Sequence, residues 1–317
     1  MVKIAIAGGS GEVAREVIDA LVATKKHDII VLSRQEPGPG DTIEGTSWAT
    51  VDFTNKDSIV PALKGVHTVL NFVPVYRDSD NAAQRTLIDA VIEAGVRRFA
   101  PSEWATLTTD TLPWYGPKVA IREYLAELNK DGKVLEYCLF SCGVFTNYLG
   151  APYPSTTHVH TSNLQFDLAR RRAILVDGGE GGRMSFTTVG DFADVVARAV
   201  EYGGEWPVVG GIRGDTVTAA QLVAMAEGIR GPFSIEKVQL ADLEAGEIKA
   251  SWMPVYEHPQ FKTRDAEVAY AKSINPFMFR STALGGFLVS DEWNRLLPDY
   301  RFTSVGEFLE KHWTGKP

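Results

Sequence analysis

The chain has 317 residues, of which 44% are hydrophobic, and it carries a formal net charge of −8. This length suits one large α/β domain or two ordinary domains, and an acidic surface argues against nucleic acid as the main ligand. The sequence opens almost directly on a strand, and no apolar run is long enough to span a bilayer, so we expect a cytoplasmic protein without a signal peptide. Cys138 and Cys142 lie in an apolar run and are expected to be buried thiols.

Short apolar runs alternate with amphipathic segments over about the first 140 residues. The runs are typical of buried parallel strands, and the segments have apolar residues at helical spacing. The predicted strands are Lys3–Ala7, Asp28–Ser33, Trp48–Val51, Thr68–Phe72, Arg98–Ala100 and Val134–Leu139. The predicted helices are Glu12–Ala23, Asp57–Leu63, Asn81–Ala94 and Pro117–Leu128. This alternation predicts an α/β fold: a doubly wound parallel sheet of the Rossmann type with helices on both faces.

The regular alternation ends near Gly150. Residues 155–172 are predicted to be mixed loop, and the remaining chain contains short strands, separate helices and scattered aromatic residues. The predicted elements are strands Ile174–Val176, Met184–Phe186 and Pro207–Val209 and helices Asp191–Tyr202 and Thr218–Ile229. We therefore expect a cofactor-binding domain over residues 1–150. A smaller α+β substrate-binding region should cover residues 151–317, with some segments at about 173–210 returning to the sheet.

A glycine-rich loop, Gly8–Ala14, joins the first strand to the first helix. Gly8 permits a sharp turn, and Gly11 lets the backbone approach a pyrophosphate. The N-terminus of the following helix favours an anion through its free N–H groups and its dipole. The loop therefore predicts a dinucleotide site. Its remaining cofactor-binding candidates are Ser10, Glu12 and Val13.

The residues that follow the next strands indicate which dinucleotide is bound. An acidic residue after the second strand would bind the 2′-hydroxyl of NAD, but Ser33 and Arg34 stand there. A hydroxyl and a guanidinium suit a 2′-phosphate, so NADPH is the expected cofactor. Asp52 either meets the adenine or caps the next helix, and Phe72 and Val73 are expected to lie along the cofactor.

Four segments of the chain resemble the isoflavone reductase-like and NmrA-like proteins, which are atypical short-chain dehydrogenases. They are Gly8–Ala14, Gly95–Glu103, Lys118–Arg122 and Leu297–Leu309. The resemblance implies an NADPH-dependent reductase in which a lysine binds the nicotinamide ribose or polarises the substrate, and Lys118 matches that position. A lysine near a buried cofactor has a lowered pKa, and its ammonium stabilises an enolate or phenolate.

The proton donor stays open at this point. Trp114 stands where the tyrosine of a Tyr-x-x-x-Lys pair would be, and Tyr115 is one residue too close to Lys118. The resembled family lacks that tyrosine as well, so Lys118, Tyr115 and a water are all candidates. Ser102, at the end of the fifth strand, is expected to touch ribose or substrate, and Glu103 is as well suited to a structural hydrogen bond.

The resemblance also implies that the loop after the sixth strand lines the nicotinamide and the substrate. An aromatic wall there would suit a flat aromatic or apolar small molecule. Each of these aromatic residues is equally compatible with a place in the core. The substrate-contact candidates are Trp104, Trp114, Phe145, Asn147 and Tyr148.

One further pattern is a pair of histidines, His158 and His160. On a strand both imidazoles would lie on one face, as a metal pair does. The sequence shows no third ligand nearby, so we expect an exposed loop and no metal.

The leading hypothesis is an NADPH-dependent reductase of secondary metabolism, a monomer or homodimer. It would pass hydride to an activated C=C, C=O or C=N bond of an aromatic or polyketide-like molecule. A second hypothesis is an NmrA-like regulator that senses NAD(P) without catalysis; such proteins typically lack the lysine. A third is a non-redox isomerase or cyclase, since one fold supports many chemistries.

Overall fold

A parallel sheet of six strands forms the first half of the chain in the computed structural model, which describes residues 2–38, 40, 42–78 and 80–317. The sheet order is β3-β2-β1-β4-β5-β6. The order reverses between β1 and β4, and ligands of such sheets bind at the carboxyl ends of the strands beside this switch point. The strands are β1 (Lys3–Ala7), β2 (Asp28–Ser33), β3 (Thr46–Thr50), β4 (Thr68–Asn71), β5 (Arg98–Ala100) and β6 (Glu136–Tyr137).

Helices cover both faces of this sheet. They include α1 (Glu12–Ala23), α2 (Lys56–Ile59), α3 (Ala82–Glu93) and α4 (Gly116–Leu128). Successive side chains of a strand point to opposite faces, and β1 shows the consequence. Ile4 and Ile6 pack with α1 in one buried cluster, whereas Ala5 and Ala7 pack with α3 and α4 in another. The predicted doubly wound Rossmann-type sheet is confirmed.

The second half of the chain adds three small sheets and six helices within the described residues. Two sheets have the orders β14-β10-β9 and β13-β11-β8, and in the third β12 runs parallel to β7. The strands are β7 (Leu139–Ser141), β8 (Val144–Phe145), β9 (Phe166–Asp167), β10 (Arg172–Val176), β11 (Arg183–Thr187), β12 (Val209–Gly211), β13 (Asp215–Thr218) and β14 (Ser234–Val238). The helices are α5 (Val189–Glu201), α6 (Ala219–Arg230), α7 (Leu240–Glu244), α8 (Arg264–Leu284), α9 (Glu292–Leu296) and α10 (Val305–Trp313).

The helix predicted over Asp57–Leu63 is the short α2 followed by a 3-10 helix, Val60–Leu63, and several other bounds shift by one or two residues. Three further differences have a structural reason or add an element. The single sixth strand is broken at Cys138, whose N–H bonds to Phe99 of β5, whereas the next N–H bonds to Val208. The chain thus exchanges one neighbouring strand for another. The strand predicted from Pro207 begins at Val209, since proline offers no N–H to a ladder. The predicted loop 155–172 contains the short strand β9. In the described part of the chain, no helix combines the length and the apolar character needed to cross a membrane.

Candidate functional site

The turn between β1 and α1 can only be built with glycine. Gly8 has φ of +74°, and a Cβ there would lie 2.8 Å from the backbone nitrogen of Val73. The backbone at the end of β4 therefore packs directly on the turn. Gly11 is the N-cap of α1 and makes no side-chain cap, so it leaves the first-turn N–H groups to another acceptor. This is the geometry that binds phosphate at a helix N-terminus.

A buried amide network joins the ends of β4 and β5. Asn71 accepts from the Val73 N–H at 3.0 Å and donates to Gln84 Oε1 at 2.8 Å. The same Gln84 oxygen accepts from the Ser102 N–H at 3.0 Å, and the Trp104 indole donates to the Asn71 carbonyl at 2.6 Å. The network holds the two strand ends beside the glycine turn. Sequence reasoning missed Asn71 and Gln84, because a polar residue at a strand end or on a helix carries no local signal of its partner.

Lys118 is buried on the first turns of α4. Its Nζ donates to the carbonyl oxygen of Glu103 at 2.5 Å and lies 4.0 Å from the centre of the Tyr115 ring. The Glu103 carboxylate is 3.8 Å from Nζ, but both of its oxygens accept from Arg122 at 2.8 Å. Burial lowers the pKa of Lys118 to about 8, although the charge of Glu103 opposes this shift. The ammonium is therefore held in place without a tight carboxylate partner of its own.

The phenol and thiol groups around Lys118 are neutral near pH 7. Burial raises the pKa of Tyr115 to about 12 and that of Cys142 to about 12. It also raises the pKa of Tyr148 and of Tyr256, whose hydroxyl donates to Asn275 at 3.0 Å. Tyr256 comes from the C-terminal region and lies near Tyr148, and the sequence contains no pattern that links these two residues. Among the described residues, the surroundings of the lysine are aromatic and uncharged apart from Glu103 and Arg122.

Of the five predicted substrate residues, three are packed into the interior. The Trp104 ring stacks on Phe72 with a centroid distance of 4.2 Å. Phe145 packs within the same core. The Asn147 side chain accepts from the Val189 N–H and donates to Ser155. The two that remain part-exposed are Trp114 and Tyr148. This packing favours a supporting role for the three buried residues.

The predicted cofactor contacts divide in a similar way. Arg34 is exposed and forms no hydrogen bond with other residues of the described ranges, whereas Ser33 accepts from the Gln35 N–H at 3.3 Å. One alternative predicted that Asp52 caps the next helix, and this was wrong. The Asp52 carboxylate closes a turn with Thr54, and Asn55 caps α2. The backbone next to the glycine turn comes from Phe72 and Val73, but the Phe72 ring itself turns away onto Trp104.

The two histidines do not share a partner. The His158 ring bonds to Asp19 at 2.8 Å, whereas the His160 ring bonds to Glu12 at 2.5 Å. His258 also bonds to Glu12, at 2.8 Å. The expectation that no third group lies near the pair was wrong, since Glu12 and His258 lie beside His160. The sequence did not show this, because both residues are far from His160 along the chain. Residues 158–160 are also not a strand, so the argument from a shared strand face does not apply.

The strand order, the glycine turn and the helix N-terminus beside it define a Rossmann-type fold. The chain belongs to the NmrA-like family, whose model matches residues 2–242. The oxidoreductase swnN of Metarhizium robertsii is 23% identical over all of this chain and 98% of its own length. The oxidoreductase BOA1 of Botryotinia fuckeliana is 29% identical, but the match spans only 56% of this chain and 60% of that relative.

Among solved structures, the NADPH-dependent quinone oxidoreductase QOR2 of Escherichia coli has the same fold. It aligns with a TM-score of 0.68 and 21% identity, over 96% of this chain and 97% of QOR2. The predicted family resemblance is thus confirmed.

Proposed function

We propose that the protein is an NADPH-dependent reductase that transfers hydride to an activated C=C, C=O or C=N bond of an aromatic or polyketide-like small molecule. The observation that carries the proposal is the buried Lys118, whose ammonium lies among neutral aromatic groups beside the amide network at the strand ends. The names of the fungal relatives and of QOR2 support the same type of reaction.

The residues of this chain fit the cofactor. Gly8 lets the turn pack on the Val73 backbone, where a Cβ would lie 2.8 Å from the nitrogen, and Gly11 leaves the first N–H groups of α1 to a pyrophosphate. The exposed guanidinium of Arg34 suits a 2′-phosphate, and Ser33 adds a hydroxyl. NADPH bound there would supply the hydride.

Lys118 would act on the substrate oxygen or nitrogen. Its ammonium stabilises the negative charge that develops when hydride is added, in a setting where water does not screen it. With a pKa of about 8, the same group releases a proton near neutral pH. Arg122 is a positioning residue in this scheme, since it takes up the Glu103 carboxylate and prevents a tight ion pair with the lysine.

The substrate class follows from the surroundings of the lysine. Tyr115 lies beside Lys118, and Tyr148 lies near Tyr115; both stay protonated and present aromatic surface. Tyr256 lies near Tyr148 and lines a small apolar cavity, together with Val144, Phe186 and Met278. Such a surface suits a flat apolar ring better than a charged metabolite.

The test is a kinetic comparison of Lys118→Ala with Lys130→Ala, an exposed lysine just beyond the C-terminal end of α4. NADPH oxidation is followed with a panel of quinones, cyclic enones, imines and isoflavonoids. We expect Lys118→Ala to lower kcat by about 100-fold or more while the Kd for NADPH changes only a few-fold. Lys130→Ala should behave as wild type.

Intact turnover in Lys118→Ala would remove the assigned role of the lysine. Tight NADPH binding with no oxidation by any member of the panel would instead favour a sensing protein. Product formation without NADPH consumption would favour an isomerase or cyclase.

A further inference from the structure

Glu12 is a carboxylate at the first position of the helix whose N-terminus takes the pyrophosphate in the proposed function. A negative side chain at this end is itself favoured by the helix dipole. It therefore competes with the phosphates for the same positive potential and repels them. The proposed function gives no reason for a glutamate here.

Two histidines from distant segments converge on this carboxylate. His160 Nδ1 lies 2.5 Å and His258 Nε2 lies 2.8 Å from the same oxygen, Glu12 Oε1. The backbone N–H of His160 bonds to the other oxygen at 2.9 Å. The two rings lie 5.0 Å apart between centroids. The three side chains form one cluster, which we call the Glu12 cluster.

The hydrogen bonds show how the protons are arranged in this cluster. The backbone N–H of Gln260 donates to His258 Nδ1 at 3.1 Å, so His258 carries its proton on Nε2 and donates it to Glu12. A metal ion would need the lone pair of that Nε2. The geometry is therefore that of two N–H donors serving one carboxylate, and it exists even when both imidazoles are neutral.

The charge of the cluster depends on pH. It is −1 with both imidazoles neutral and zero once His160 is protonated, whereas Nδ1 of His258 is occupied by the Gln260 N–H. The pKa of Glu12 is itself held below its usual value, because the bonds and charges of His160 and His258 outweigh its burial.

Few other titratable groups face the cluster. Tyr148 stays protonated. On α1, Glu16 and Asp19 bond to the backbone and the ring of His158, and on the C-terminal segment Glu257 pairs with Arg264. Arg15 follows Glu12 on the same helix.

We propose that the Glu12 cluster is a proton-linked counter-charge for the cofactor, so that binding of the dinucleotide pyrophosphate at the N-terminus of α1 takes up a proton on His160. This inference rests on the proposed function and adds a control of the same site. Protonation replaces a repulsive carboxylate by a neutral cluster beside two phosphate charges. Each added proton should strengthen binding by about tenfold.

The experiment measures NADP⁺ binding to the full chain by calorimetry between about pH 5.5 and 8.5, in buffers of different ionisation enthalpy. Wild type should take up at most about half a proton within this range, because a tenfold gain in affinity per proton corresponds to a pKa shift of about one unit. Its affinity should fall about tenfold toward pH 8.5. The double variant His160→Asn/His258→Gln keeps N–H donors for Glu12 but cannot titrate, and it should lose this uptake. His158→Gln changes a neighbouring histidine that bonds to Asp19, so it should retain the wild-type profile.

Two controls separate the cluster from the ligand. The 2′-phosphate of NADP⁺ also titrates, but it should release protons on binding, and to the same extent in all variants. The ligand 2′-AMP lacks the pyrophosphate, so its binding should show only this proton release. Glu12→Gln removes the repulsion and should bind NADP⁺ about tenfold more tightly than wild type near pH 8.

The double variant sharing the wild-type proton uptake would overturn the inference, as would Glu12→Gln binding no more tightly. Tight but pH-independent binding by wild type would overturn this inference alone. Absence of any NADP⁺ binding would instead overturn the proposed function.

Discussion

Replacement of Lys118 by methionine should abolish catalysis and make the protein more stable. Methionine is close to lysine in length and fills the same space with an uncharged side chain. Glu103 would not be left alone by this change, because Arg122 already bonds to both of its carboxylate oxygens. The bond that is lost is the one from Nζ to the Glu103 carbonyl oxygen. The variant therefore isolates the free energy of keeping one ammonium buried.

The magnitude follows from the pKa. Burial lowers the pKa of Lys118 from 10.5 to about 8, so the unfolded chain binds the proton more tightly than the folded one. Near pH 7 this difference destabilises the fold by about 3 kcal/mol, and the lost hydrogen bond offsets about 1 kcal/mol in the variant. The expected net gain is about 2 kcal/mol. The sign of the pH dependence is fixed as well: the penalty on wild type shrinks as pH rises through the folded pKa toward the unfolded one.

Urea unfolding of wild type and Lys118→Met near pH 7 and near pH 9 measures both effects. Relative to the variant, wild type should gain about 1 kcal/mol between these two pH values. The reasoning fails if the variant is less stable than wild type, or if the difference between them is the same at both pH values. A matched change at an exposed lysine, Lys130→Met, should leave the free energy of unfolding unchanged at both.

Three other changes test separate parts of the structure. Gly8→Ala should abolish NADPH binding and cost at least about 2 kcal/mol of stability more than Gly65→Ala, which has the same φ of +74° but open space around the added Cβ; equal losses would contradict the close approach. Arg34→Gln should raise the Kd for NADPH about tenfold and leave that for NADH unchanged, and equal weakening of both would show that the guanidinium does not read the 2′-phosphate. Arg98→Met should lower the free energy of unfolding by about 3 to 5 kcal/mol, since it leaves the buried Glu136, which Arg98 contacts at 2.7 Å, without this partner. NADPH binding measured below the melting temperature should persist, and a small loss of stability would show that Glu136 finds other partners.

The regular part of the fold could be predicted because its signals are local. The bounds of β1, α1 and β2 agree with the prediction, since apolar runs, a glycine turn and helical spacing all lie within a few residues of one another. The sixth strand could not be predicted correctly. The strand breaks at Cys138 because the chain then pairs with β12, which lies about seventy residues later in the sequence. No feature of residues 134–139 indicates this change of partner.

The candidate site divides along the same line. The turn at Gly8 and the lysine at the start of α4 could be named from the sequence, since each belongs to a local motif. The partners of their charged groups could not. Arg122 binds the Glu103 carboxylate and so leaves Lys118 without a tight carboxylate partner. In the sequence, Arg122 is only a polar residue on a helix and Glu103 a polar residue after a strand, and nothing local pairs them. The alternative in which Asp52 caps α2 was wrong for a local reason, because the nearby Thr54 bonds to its carboxylate.

This division bears on how the motif can be used. Two carboxylates, Glu12 and Glu103, lie next to the proposed cofactor and substrate positions. The net charge around each depends on residues outside its own segment. Glu12 is balanced by histidines 148 and 246 residues away, and Glu103 by an arginine 19 residues away. Electrostatic complementarity to a phosphate or to a developing oxyanion depends on these net charges rather than on the residue types in the motif. A glycine loop with glutamate at this position, transplanted without His160 and His258, should therefore bind a dinucleotide more weakly than its sequence suggests.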